Sequence, residues 1–293
     1  MPDFWTHVLA GEEMIAAGGS DDLYRTVEEN MEAFIMGCQG PDLFFYNIST
    51  PWRGPVLGKR MHYNGLRTAF EHVVKYGRTH RPGGCLSAFL CGYLSHFLVD
   101  RYLHPFVLAR SRNFTVHKKL ENEMDSFLLK HHLGISPRAV NPYLMMEFEG
   151  GMPEAILGFF QEHLDEIYDF NRGRSTTLSS YRDFKYLQNV LYSPGPVKRT
   201  LLRFSSAFIP YNMDSLLYEA GNELLWDEEK QRFLQQYEMV VGLGADTLGE
   251  VELFWQDRLH YADLIDHLEE LDFDTPDSQE IMSTLPLEEQ LSG

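Results

Sequence analysis

Cysteine is scarce in this chain: Cys38, Cys85 and Cys91 are the three among 293 residues. An odd number without a CxxC pair supports neither a disulfide framework nor a thiolate zinc site, so buried free thiols in a reducing compartment are expected. Long apolar runs are missing as well. No segment approaches the roughly 20 uninterrupted apolar residues of a membrane span. The opening stretch MPDFWTHVLAGEEM shows neither a basic leader nor a small-residue cleavage site, and the expectation is a cytoplasmic protein. Positive charge is also short, with 25 Lys and Arg against 43 Asp and Glu and a formal net charge of -18. Such a surface repels phosphate backbones and anionic headgroups, which makes nucleic acid a poor partner. It does not exclude one small phosphate ester, because a bound group of divalent cations would reverse the sign locally. No feature of the sequence points to a protein partner.

Helical periodicity is what the chain does have. The stretches DLYRTVEENMEAFIMG, GLRTAFEHVVKYG, GGCLSAFLCGYLSHFLVDRYLHPFVLAR and VHKKLENEMDSFLLKHHLG carry apolar residues at i, i+3, i+4 and end near Gly or Pro. The pattern continues through MPEAILGFFQEHLDEIYDFN, SYRDFKYLQNVLY, MDSLLYEAGNELLWDEEKQRFLQQYEMVVG and ADTLGEVELFWQDRLHYADLIDHLEEL. No pair of alternating strands joined by a two-residue turn is present, nor any repeat of solenoid length. An all-α architecture follows, with residues 1–258 as one helical domain. Between Cys38 and Gly65 the chain is rich in Gly, Pro and aromatics and reads as a long loop. Residues 259–293 hold no Lys or Arg, and their last part reads as a mobile acidic tail.

One apolar stretch is interrupted in a regular way. In GYLSHFLVDRYLHPFV, His96, Asp100 and His104 recur every four residues. Each step drifts only about 40° around a helix, so the three lie on one stripe. Burying two imidazoles and a carboxylate is expensive unless something satisfies them, and a divalent cation does so with these donors. Hydrogen-bonded core histidines, or a His-Asp-His relay without metal, are the alternatives. A second helix places His117 and Glu121 on one face in HKKLE, with Asp125 continuing the line and Lys118 and Lys119 on the solvated side. If the turn around RSRNF folds this helix back antiparallel, His104, His117 and Glu121 converge with a position open for water. Asp42, after Pro41, is either a rigidly held carboxylate or a cap; His62 is either a ligand or a loop histidine. Asp3 and His7 form a further i, i+4 pair, with a helix-starting Asp beside an ordinary His as the plainer account.

Taken in order, DFWTH, GCQGPDLFFY, GKRMH, GYLSHFLVDRYLHPF and HKKLE resemble the zinc-dependent phospholipase C family, which is related in fold to the zinc-dependent single-strand nucleases. The resemblance is clearest over residues 1–130. It implies a multi-helix bundle with a trinuclear metal site between helices. Asp42, His62, His96 and Asp100 would hold one ion; His104, His117 and Glu121 a second; His7 and Asp100 a third. Secreted members complete that third site with the amino group and carbonyl of an N-terminal Trp. Here Trp5 is preceded by Met-Pro-Asp-Phe, and Asp3, one turn from His7, is the expected replacement.

The implied activity is hydrolysis of a phosphoric ester, a metal-activated water attacking the phosphorus of a phosphodiester and Asp42 orienting or deprotonating that water. Zinc is the expected ion, two or three per chain, although iron and manganese suit the same donors. The substrate class is a small phosphate ester or a phospholipid headgroup. Tyr46, Trp52, Arg53 and Tyr63 are placed at the substrate entrance from sequence position alone, with packing as their alternative. A nuclease or phosphomonoesterase on the same fold, or a non-catalytic metal-binding protein, would use the same ligand set.

Overall fold

The computed structural model describes residues 4–80, 83–205, 212–218 and 223–271. Among them are thirteen α-helices and no strand. In chain order these are α1 (Phe4–Gly18), α2 (Asp21–Glu29), α3 (Met31–Gln39), α4 (Gly54–Tyr63), α5 (Leu66–His80), α6 (Cys85–Leu108) and α7 (Phe114–Leu133). Then come α8 (Pro142–Met145), α9 (Glu154–Tyr168), α10 (Gly173–Leu191), α11 (Pro196–Ser205), α12 (Asp227–Trp255) and α13 (Tyr261–Glu270). Short 3-10 helices cover Gly40–Tyr46, Pro137–Ala139 and Met213–Leu216.

The central element is α6, apolar on nearly every side and buried along most of its length, as a helix must be when others surround it. Its main neighbour is α3, and glycine sets how near the two come. A Cβ on Gly37 would collide with the Phe89 carbonyl, and one on Gly92 with the Phe34 carbonyl. Backbone therefore lies on backbone where the helices cross. Phe34, Phe89, Tyr93, Phe159 and Phe160 fill the core around that crossing.

Three local readings are corrected. The segment from Cys38 to Gly65 is not one long loop: the end of α3, the 3-10 helix and α4 leave only residues 47–53 and 64–65 irregular. Pro55 sits in the first turn of α4, where a missing N–H costs nothing, so this Pro starts a helix and does not break one. The glycines at 242 and 244 do not end a helix, since α12 runs through both. Its neighbour Met14 fills the space a Cβ on Gly244 would need. The periodic run from Asp22 to Gly37 is two helices, divided at Asn30, whose backbone leaves helical geometry at φ -132° and ψ 42°. In α13, Leu264 and Leu268 are buried in the common core, as is the following Leu271. The remainder of the acidic segment, 272–293, lies outside the described residues.

Candidate metal centre

Local rules place each side chain. Asn113 caps α7, its side chain accepting from the Val116 N–H at 3.0 Å, and Gly134 closes it in the left-handed region at φ 67°. Only five residues separate Leu108 from Phe114, so α7 folds back on α6. His104 Nε2 and His117 Nε2 then meet at 3.3 Å. At the end of α3, Gly40 has φ 41°, and a Cβ there would press on the His96 ring at 3.1 Å. That turn sends the chain into the 3-10 helix carrying Asp42.

Around Asp100 the imidazoles are oriented by the frame. His96 Nδ1 donates to the Cys38 carbonyl at 2.9 Å, one of the last carbonyls of α3, which have no partner along their own helix. His62 Nδ1 donates to the Gly58 carbonyl at 2.7 Å. A carbonyl only accepts, so each Nδ1 carries its proton and each Nε2 faces inward with its lone pair. His96 Nε2 is 3.4 Å from Asp100 Oδ2, and His62 Nε2 is 3.3 Å from the same oxygen and 2.9 Å from Asp42 Oδ1. From α1, His7 stacks on His96 with centroids 4.3 Å apart and brings Nε2 to 3.5 Å from Asp100 Oδ1.

None of these inward atoms makes a hydrogen bond. His7 Nε2, His62 Nε2, His96 Nε2, Asp42 Oδ1 and both Asp100 oxygens are buried without such a partner. Lone pairs facing lone pairs in a buried space require a positive charge between them. Without a metal, one proton has to serve. Burial resists a charged His62, but Asp100 and Asp42 outweigh it and push its pKa up to about 10. Burial likewise opposes an ionised Asp100, and the three imidazoles hold its carboxyl well below the usual range.

A pH dependence follows for the chelated protein. With the folded pKa of His62 raised, its contribution to stability is complete below its unfolded value near 6.5 and is lost as pH rises through about 10. The depressed pKa of Asp100 acts oppositely, contributing above its unfolded value of 3.8 and being lost as pH falls. Denaturant midpoints of the chelated protein between pH 6 and 10 are expected to fall, and those of the zinc-loaded protein to stay level.

The second group lies about one turn beyond Asp100 along α6. His117 Nε2 is 2.8 Å from Glu121 Oε1, and Ser111 Oγ lies 3.2 Å from His117 Nδ1. Burial holds both His104 and His117 well below the usual imidazole range, so both stay neutral and fit to ligate. Lys118 departs from expectation. It is buried, not on the solvated side, because its Nζ lies 2.9 Å from Oε2 of the fully buried Glu121.

The ligand atoms of Asp42, His62, His96 and Asp100 lie within 4.8 Å of one another, and so do those of His104, His117 and Glu121. Imidazole nitrogen and carboxylate oxygen are zinc donors, so both groups fit that ion. Access is through a cleft of about 50 Å³ lined by His62, Tyr63, His96, Asp100, Arg101 and His104. Tyr63 thus sits on the cleft. Tyr46 lines a neighbouring pocket instead. Trp52 and Arg53 line neither: both precede α4, and Trp52 is 71% exposed. Asp3 lies outside the described residues.

Asp125 is a residue whose role periodicity does not show. Its carboxylate accepts from the Trp5 N–H at 2.9 Å, the Thr6 N–H at 2.8 Å, the Thr6 hydroxyl at 2.6 Å and the Tyr218 hydroxyl at 3.0 Å. It caps α1 from another helix and so seats His7. Asp125→Ala is expected to cost about 2 kcal/mol, read from the denaturation midpoint.

No helix among the described residues is long and apolar enough to cross a membrane. The chain has no match among the curated proteins or the solved structures compared with it. Residues 6–173, more than half of the chain, match the family model described as "Zinc dependent phospholipase C". That span runs from one residue before His7 to well past Glu121, and so contains every residue of both ligand groups. The chain belongs to the zinc-dependent phospholipase C family.

Proposed function

We propose that this protein hydrolyses a phosphoric ester, a phosphodiester of the phospholipid-headgroup kind, with zinc held by Asp42, His62, His96 and Asp100, by His104, His117 and Glu121, and by His7 with Asp100. Zinc bound there supplies Lewis acidity, bringing the pKa of a water toward neutral and offsetting charge on the phosphoryl oxygens. The observation that carries this reading is the set of buried, inward-facing nitrogens and oxygens around Asp100 that no hydrogen bond satisfies.

The chain's own groups have separate tasks. Asp42, 5% exposed and held by the 3-10 helix, orients the attacking water and receives its proton. Asp100 offers one oxygen toward His7 and the other toward His62 and His96, which suits a carboxylate shared between two ions. The Cys38 and Gly58 carbonyls fix the tautomers, and Lys118 fixes the Glu121 rotamer. Arg101 on the cleft adds a permanent positive charge for the phosphoryl group. Burial first, then the Asp100 and Asp42 charges, push the Tyr63 hydroxyl far above its ordinary pKa, so it stays a neutral donor.

The net charge of -18 disfavours a nuclease reading. Turnover of the zinc-loaded protein on a chromogenic phosphodiester, a phosphomonoester and single-stranded DNA tests the proposal. Hydrolysis of the diester above the other two is expected. An absence of turnover on all three would remove the catalytic reading and leave a metal-binding protein.

A further inference from the structure

One set of donors stands apart from both ligand groups. On α9, Glu162 and Glu166 are one turn apart and share a face, and α5, which packs on α9, brings His72 to them. Ligand atoms of the three lie within 4.8 Å of one another, with His72 Nε2 at 3.3 Å from Glu166 Oε2. The other nitrogen of the ring is held from behind. His72 Nδ1 meets Nδ1 of His163 at 2.9 Å, and His163 is fully buried. Phe159 stacks on the His163 ring at 5.0 Å and Tyr93 of α6 meets it edge-on at 5.7 Å, so this support is fixed by the core. One proton has to lie between the two Nδ1 atoms. When His72 supplies it, His72 Nε2 is left with a lone pair turned toward the carboxylates, the arrangement in which an imidazole ligates.

An ordinary ion pair does not account for these groups. Among the described residues neither Glu162 nor Glu166 pairs with a lysine or arginine. Lys75, one turn from His72, bonds to Glu71 at 3.1 Å. Burial holds His72 below the usual imidazole range although Glu166 and Glu162 oppose it, so near pH 7 the neutral ring does not offset the two carboxylates. One imidazole nitrogen with two carboxylate oxygens suits an ion of the zinc class, whereas calcium and magnesium favour oxygen alone. We propose that His72, Glu162 and Glu166 bind one divalent ion of the zinc class, which staples α5 to α9. None of the three belongs to the ligand groups around Asp100 and His104 or lines their cleft, so the inference does not rest on the hydrolase reading. Glu166 is exposed, so the ion exchanges with solvent and fills when metal is added, beyond what stays bound through purification.

Equilibrium dialysis of the full chain against dilute zinc, from the metal state in which it is purified, followed by elemental analysis, is the test. Wild type is expected to gain one ion per chain more than a Glu162→Gln/Glu166→Gln double variant, with circular dichroism of the two alike. Glu162→Gln alone should weaken that ion at least about tenfold. Zinc should also raise the Tm of the wild type further than that of the double variant. Equal zinc content in the two proteins would overturn the proposal. So would a His72→Gln variant that keeps the extra ion, since two surface carboxylates would then be gathering an adventitious cation.

Discussion

Asp100→Asn, purified beside the wild type, is expected to lose most of its metal and at least about 100-fold in phosphodiester turnover. The reason is geometric. Asp100 has His7 Nε2 at 3.5 Å from one oxygen, and His62 and His96 at 3.3 and 3.4 Å from the other. The asparagine amide would present N–H groups to nitrogens whose lone pairs already point inward, and only one oxygen would remain. Losing a partner of a ligand costs metal affinity about 10- to 100-fold, and losing a shared ligand costs more. The variant keeps nearly the same volume in a site 13% exposed, so its folding can be checked by circular dichroism. If Asp100→Asn held wild-type metal and turnover, Asp100 would not be a shared ligand and the proposed arrangement of the site would be wrong.

Gly37→Ala is expected to be strongly destabilising, at about 4 kcal/mol or more in chemical denaturation. The new Cβ would meet the Phe89 carbonyl, with the Tyr93 amide nitrogen 2.8 Å away. Backbone cannot rotate aside as a side chain can, so α3 and α6 would have to separate. The damage reaches the site as well. Cys38, the residue after Gly37, holds the His96 ring through its carbonyl, and Gly40 leads into the turn bearing Asp42. Metal content should therefore fall together with stability. A loss below about 1 kcal/mol would show that the crossing is looser than the contacts indicate.

These two residues also mark what was legible in the sequence. His96, Asp100 and His104 declare themselves, because polar residues at four-residue steps in an apolar helix need a shared reason. Their meeting with His117 and Glu121 follows from a short turn and two helix faces. Asp42, His62 and His7 are different: no local pattern links them to Asp100, and only the ordered resemblance to a family placed them together. The Gly37 and Gly92 crossing is not legible, since a glycine within a helix reads as a weak spot until its neighbour is seen. Lys118 departs from its periodic position for a related reason. Helical periodicity tells which face a residue is on, but not that a buried carboxylate three residues later draws the ammonium inward. Asp125 lies on the same line as His117 and Glu121, and its task of capping α1 depends on a partner more than a hundred residues away.

Elemental analysis of the wild-type chain, purified without added metal, tests the account most directly. Buried imidazoles and carboxylates that face one another without hydrogen bonds demand cations, so about two to three zinc-class ions per chain are expected. A folded, stable protein carrying none, and taking up none when zinc is supplied, would contradict it.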